Sequence, residues 1–225
     1  MDGAGNSSSD ETTFTWDTTP PEVEAGALPD IKNSNFKQAG EVKDANRIST
    51  ITWSKVSGLG EVVFGTPEAA RTTVRADTDG RYTIQLTAVD GAGNSNSDDV
   101  TFTWDTTPPA VEAGTLPGIK NSSFKQQDEV KDPFGISTII WSKVSGLGEV
   151  VFGPPNAAQT TVRADTDGHY TIRLTAVDGA GNSNSDELSF TWDTKPPEVE
   201  AGALPGIKNP SFKQRGEVKD ATIST

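Results

Sequence analysis

Arg81-Tyr82-Thr83-Ile84-Gln85-Leu86-Thr87-Ala88-Val89 alternates apolar and polar side chains without a break. In an extended chain successive side chains point to opposite sides, so Tyr82, Ile84, Leu86 and Ala88 share one face. Arg81, Thr83, Gln85 and Thr87 share the other. One dry and one wet face is the signature of a strand in an antiparallel sheet covered on one side. The neighbouring stretches extend the pattern. Val100, Phe102 and Trp104 point inward along Val100–Trp104, and Ile51, Trp53 and Lys55 share a face along Thr50–Val56. Glu61–Phe64 and Thr72–Ala76 read as shorter strands, Val23 and Ala25 mark a first one, and Glu41-Val42-Lys43 a second. Ser57-Gly58-Leu59-Gly60, Asp77-Thr78-Asp79-Gly80 and Asp90-Gly91-Ala92-Gly93-Asn94 supply turn residues between them. No window carries apolar residues at helical spacing with caps. About seven short strands with turns every ~10 residues predict an all-β fold, an antiparallel β-sandwich.

The same stretch returns 88 residues later as His169-Tyr170-Thr171-Ile172-Arg173-Leu174-Thr175-Ala176-Val177. Asp17-Thr18-Thr19-Pro20-Pro21 likewise returns as Asp105-Thr106-Thr107-Pro108-Pro109 and as Asp193-Thr194-Lys195-Pro196-Pro197. Residues 17–104 and 105–192 align without a gap and are identical at 70 of 88 positions, so the chain is a tandem array of one domain type. In this phase residues 1–16 are the C-terminal stub of a preceding repeat and 193–225 the N-terminal stub of a following one. The expectation is a piece of a longer array, with stubs that cannot close a core of their own.

An 88-residue unit buries roughly 60–65% of its unfolded surface, enough for one small core. The chain has no cysteine, so that core has no disulfide support. No apolar run approaches the ~20 residues of a membrane span, so membrane insertion is not expected. A net charge of −13 disfavours nucleic acid and anionic lipid as partners.

Asp79-Gly80-Arg81-Tyr82 resembles the tyrosine corner of immunoglobulin-like domains, and Trp53 and Trp141 stand where that fold places its core tryptophan. Trp53 through Phe64 and Asp79 through Asp90 together resemble PKD-type and related bacterial immunoglobulin-like repeats. The Asp90–Asn94 loop and the Asp105–Pro109 joint are similar to those of large surface adhesins and secreted proteins. This resemblance implies tandem PKD-like, immunoglobulin-like sandwiches. It also implies an extracellular, secreted or cell-surface setting and a non-enzymatic spacer or adhesion role.

Catalytic chemistry finds no footing in the residues. The single histidine, His169, stands where the other repeat has Arg81, and no triad, zinc spacing or phosphate loop can be assembled. Calcium is the candidate cofactor, because acidic turns supply the oxygens it takes. Asp77 and Asp79 precede the Tyr82 strand and Asp90 and Asn94 follow it, ~25 Å away at ~3.3 Å per residue. They cannot share an ion. Grouping Asp90 or Asn94 with Asp105 is weaker, since the next strand carries the chain to the opposite end. The expected interdomain metal set is therefore Asp77, Asp79 and Asp105, copied as Asp165, Asp167 and Asp193. Each Thr-Thr-Pro-Pro joint reads as a short stiff connector, because proline fixes φ and holds its predecessor extended. Phe134, on a loop where the other repeat has Asn46, is expected to tuck against the core edge. The expected function is a structural spacer projecting an adhesive or catalytic domain, partnered by neighbouring repeats. The alternative is a module that binds cell-surface glycan or protein through its loops.

Overall fold

A computed structural model describes residues 3–28, 31–115, 118–127, 129–201 and 216–219. The chain divides into two compact units, Met1–Thr106 and Thr107–Thr225. The division falls inside the Asp105–Pro109 joint, two residues past the expected repeat boundary.

The first unit is built of β1 (Glu22–Glu24), β2 (Ile31–Lys32), β3 (Phe36–Ala39), β4 (Glu41–Lys43), β5 (Ile48–Ser57), β6 (Val62–Phe64), β7 (Arg71–Ala76), β8 (Gly80–Asp90) and β9 (Ser95–Trp104). One sheet has the order β2-β9-β8-β5 and the other β3-β7-β6, while β1 pairs with β4. The alternation of the Tyr82 stretch is kept. Tyr82, Ile84, Leu86 and Ala88 are buried and meet Trp53, Phe102 and Trp104 of the same sheet and Phe36, Val74 and Ala76 of the other. Tyr82 stacks on Phe102 with ring centroids 5.3 Å apart, and Phe36 meets Phe102 edge-on at 5.1 Å. Such pairs add about 0.5–1.5 kcal/mol beyond burial.

The tyrosine corner forms. The Tyr82 hydroxyl donates to the Thr78 carbonyl at 2.6 Å and accepts the Gly60 N–H at 3.2 Å. Gly58, at φ +130°, lies against the ring; a Cβ there would come within 2.1 Å of Tyr82 Cδ1. Trp53 is buried, and its indole N–H donates to the Ala69 carbonyl at 3.1 Å.

Nine strands stand where about seven were expected. The additions are β2 and β3. Two residues long, β2 runs parallel to β9, with Ile31 opposite Thr103 and Lys32 opposite Trp104, so the sandwich is not wholly antiparallel. In β3 the buried slots hold Phe36 and Gln38, and the amide of Gln38 donates to the Ala25 carbonyl.

The second unit repeats the order. It contains β10 (Ala110–Glu112), β11 (Ile119–Lys120), β12 (Phe124–Gln127), β13 (Glu129–Lys131), β14 (Ile136–Ser145), β15 (Val150–Gly153), β16 (Gln159–Ala164), β17 (Gly168–Asp178) and β18 (Ser183–Trp192). Its sheets are β11-β18-β17-β14 and β12-β16-β15, with β10 paired to β13. Tyr170, Trp141 and Phe190 take the places of Tyr82, Trp53 and Phe102. Phe134 is half-buried.

At the ends, residues 3–16 are exposed and form no strand. Phe14 and Trp16 are each 83% exposed, whereas their repeat equivalents Phe102 and Trp104 are 2% and 4% exposed. No strand among the described residues pairs with this segment. Past the second repeat, β19 (Glu198–Glu200) pairs with β20 (Glu217–Lys219), leaving Val199 and Val218 exposed. Residues 202–215 and 220–225 of the expected terminal stub lie outside the described residues. No helix among the described residues is long and apolar enough to cross a membrane.

Candidate functional site

β9 runs away from the Asp90–Asn94 loop, so that loop sits at the end of the unit where the repeat begins. There the carboxylate oxygens of Asp17, Asp44 and Asp90 lie within 4.8 Å of one another. Each acid is set by a tight turn. Asp90, only 2% exposed, accepts the N–H groups of Ala92 and Asn94 on Oδ1 and the Asn94 amide on Oδ2, all between 2.8 and 2.9 Å. Asp44 accepts the Asn46 N–H at 2.6 Å. Asp17 accepts the Thr19 N–H on Oδ1 at 3.0 Å and the Asn46 amide on Oδ2 at 2.8 Å, while its carbonyl accepts the Asn94 amide at 3.2 Å. Burial pushes the Asp90 carboxyl upward. The Asn94 amide and the loop N–H groups outweigh it and hold the group below the ordinary 3.8.

Three carboxylates this close repel one another unless donors or a cation face them. Here donors do part of that work, and oxygen lone pairs remain for a hard cation of the calcium type. The loop turns recur in the second unit. Asp178 accepts the Ala180 and Asn182 N–H groups and the Asn182 amide, and Asp132 accepts the Phe134 N–H.

The expected metal set is arranged otherwise. Asp77 turns under the β5–β6 loop, accepting the Glu61 N–H at 2.8 Å and the Thr78 hydroxyl at 3.0 Å. Asp79 accepts both the N–H and the hydroxyl of Thr106, at 2.8 and 2.9 Å. Asp105 is buried, and its N–H extends the β2–β9 ladder to the Lys32 carbonyl at 2.9 Å. Asp77 and Asp79 thus face different donors, and Asp77, Asp79 and Asp105 do not form one converging group among the described residues. The second copy is alike. Asp165 accepts from Glu149 and Thr166, Asp167 from the N–H and hydroxyl of Thr194, and Asp193 from the Lys195 N–H.

Asp79 and Asp105 do come to one end of the unit, because Gly80 lies opposite Trp104 in the β8–β9 register. The partner missed for Asp90 was Asp17, the aspartate that opens its own repeat. The available signal was strand direction: β9 leaves the Asp90 loop toward the next joint, which puts that loop beside the preceding one.

His169 is exposed, with Nδ1 2.8 Å from the Thr191 hydroxyl, and no second catalytic group is hydrogen-bonded to it among the described residues.

A family model described as K319L-like, PKD domain, matches residues 33–103 and 122–191. A mouse protein, dyslexia-associated protein KIAA0319-like protein, is 27% identical over 195 residues, covering 81% of this chain and 18% of its own length. The chain therefore spans less than a fifth of that relative. Among solved structures, the D00-D0 domain of intimin aligns at a TM-score of 0.44 and 16% identity, over 76% of this chain and 98% of its own. The solution structure of the PKD domain from KIAA 1837 protein aligns at 0.32 and 20% identity, over 40% of this chain and 91% of its own.

Proposed function

This chain belongs to the K319L-like PKD-domain family, and we propose that its two complete repeats act as an extracellular, non-enzymatic spacer that holds an adhesive or catalytic domain away from an anchored surface. The observation that carries this reading is the way each unit grips its end of the joint. On one side Asp79 accepts both the N–H and the hydroxyl of Thr106. On the other side the Pro109 carbonyl accepts the Asn184 amide at 3.0 Å, and the Ala113 N–H donates to Asp186 at 3.0 Å. Only Thr107 and Pro108 stand between the two anchors. With Pro109 following, two of three consecutive φ angles are fixed, which favours a connector that resists bending. Asp167 grips Thr194 as Asp79 grips Thr106, so the device recurs with the period of the array.

Partners in this reading are neighbouring repeats, and a cell-surface glycan or protein reached by whatever the array carries. Calcium belongs to the proposal at Asp17, Asp44 and Asp90, whose carboxylate oxygens lie within 4.8 Å of one another. An ion there would tie the start of the repeat to its β4–β5 and β8–β9 loops. The test is melting of the chain in millimolar calcium and in chelator. Bound calcium raises the melting temperature in the wild type and leaves Asp90→Asn unmoved; equal melting of the wild type in both conditions would remove the ion from the account.

The spacer itself is tested by small-angle scattering. The expected radius of gyration lies well above the ~17 Å of a compact 225-residue globule.

A further inference from the structure

The outer face of the β3-β7-β6 sheet runs against the charge of the whole molecule. Along β3 and β7 the side chains of Phe36, Gln38, Thr72, Val74 and Ala76 are buried, so Lys37, Arg71, Thr73 and Arg75 face out. In register Lys37 is opposite Thr73, Ala39 opposite Arg71, and Val63 opposite Arg75. The repeat 17–104 holds thirteen acids and eight bases, and three of those eight are on this face. None of the three is in an ion pair among the described residues. Two acids flank Arg75 in register: Asp77, which accepts the Glu61 N–H at 2.8 Å, and Glu61 opposite it, whose carboxylate is 3.9 Å from Lys55.

A cleft of about 520 Å³ opens on this face, lined by Lys37, Gln38, Gly65, Thr66, Arg71 and Thr73 among others. Gly65 keeps it open: a Cβ there would come within 2.2 Å of the Thr73 hydroxyl.

We propose that this face docks a linear anionic polysaccharide, with Arg71, Lys37 and Arg75 pairing successive carboxylates or sulfates and the Thr73 hydroxyl contacting the sugar. Arg71 and Arg75 are four residues apart on one strand face, ~13 Å at ~3.3 Å per residue. That spacing suits charges repeated along a polymer better than one small anion. Guanidinium groups match carboxylate and sulfate in geometry as well as charge. The face carries no aromatic ring on which a base could stack, which favours a sugar polymer over single-stranded nucleic acid.

The second unit has a weaker version. Lys125, Arg163, Thr161 and Gly153 are retained, but Gln159 replaces Arg71 and Pro154 replaces Thr66, and the cleft shrinks to about 220 Å³. The proposal is independent of the spacer reading, since a flexible chain could carry the same face.

The experiment passes the full chain over immobilised polygalacturonate and immobilised heparin at low salt, which separates carboxylate from sulfate recognition. Retention on at least one column is expected, with release as salt shortens the screening length below ~10 Å. The triple variant Lys37→Gln, Arg71→Gln, Arg75→Gln should lose about tenfold or more in affinity, on the order of 1.4 kcal/mol, with melting unchanged. Gln at the Arg71 position is already tolerated as Gln159 in the other unit. Gln159→Arg should strengthen binding. The proposal fails if neither column retains the wild type. It fails equally if Lys43→Gln, Arg47→Gln, Arg81→Gln weakens binding as much, or if single-stranded DNA binds as tightly as the polysaccharide.

Discussion

Tyr82 does at the residue scale what its position in the sequence implies. Its ring fills the core, its hydroxyl pins the turn before its own strand, and Gly58 makes room for it. Tyr82→Phe keeps the packing and removes the hydroxyl bonds. Denaturant unfolding should show a loss of about 1–2 kcal/mol, with the slope unchanged.

Several carboxylates are held below the usual 3.8: Asp77 by the Glu61 N–H and the Thr78 hydroxyl, and Asp167 by the N–H and hydroxyl of Thr194. Asp165 repeats the Asp77 arrangement with Glu149 and Thr166. A group whose pKa is lower folded than unfolded adds stability above the unfolded value and loses it as pH falls through the folded one. Melting temperature should therefore be flat through neutral pH and fall below about pH 4. Asp77→Asn should shrink that acid limb; a limb of unchanged size would contradict the assignment. Burial, helped by the charge of Asp77, raises the Tyr82 phenol, so a further loss is expected above pH 10.

The roles of Tyr82 and Trp53 were legible because alternation and spacing alone locate them. The partners of Asp77, Asp79 and Asp105 were not, because the direction of a carboxylate depends on loop torsions that the sequence does not display.

Among the elements, long alternating strands were legible and short ones were not. β8 declares itself through the unbroken alternation of Arg81–Val89, and β9 through the shorter one of Val100–Trp104. β2 offers two residues, and β3 hides its pattern because the polar Gln38 occupies a buried slot. The two copies also show how a sheet face tolerates change. Gln85 lies opposite Asp99 and bonds it at 2.9 Å, and where Arg173 replaces the glutamine, Glu187 replaces the aspartate and pairs at 2.6 Å. Both partners change and the cross-strand contact survives.

A different exchange is not compensated. In the first unit the Thr66 N–H donates to the Thr72 hydroxyl at 3.1 Å. Pro154 stands at that position in the second unit and has no N–H, and the buried Thr160 hydroxyl is left without a partner. Pro154→Thr should stabilise the second unit by about 1 kcal/mol. Calorimetry of the chain should show the rise in that unit's transition alone; a loss of stability would mean that the proline contributes more to the loop than the hydrogen bond does.

For the whole molecule, the 88-residue period was the most legible feature of all, since it needs no structural inference. It fixes two units of the same topology, and family membership follows from matches to both. The spacer reading adds that the joint between them resists bending, through anchors at Thr106 and Pro109 and the proline pair Pro108-Pro109. The direct test is small-angle scattering of the chain beside a Pro108→Gly, Pro109→Gly variant. The account predicts a radius of gyration well above ~17 Å for the wild type and a broader, shorter distance distribution for the variant. A compact wild-type particle, or a distribution that the glycines leave unchanged, would contradict it.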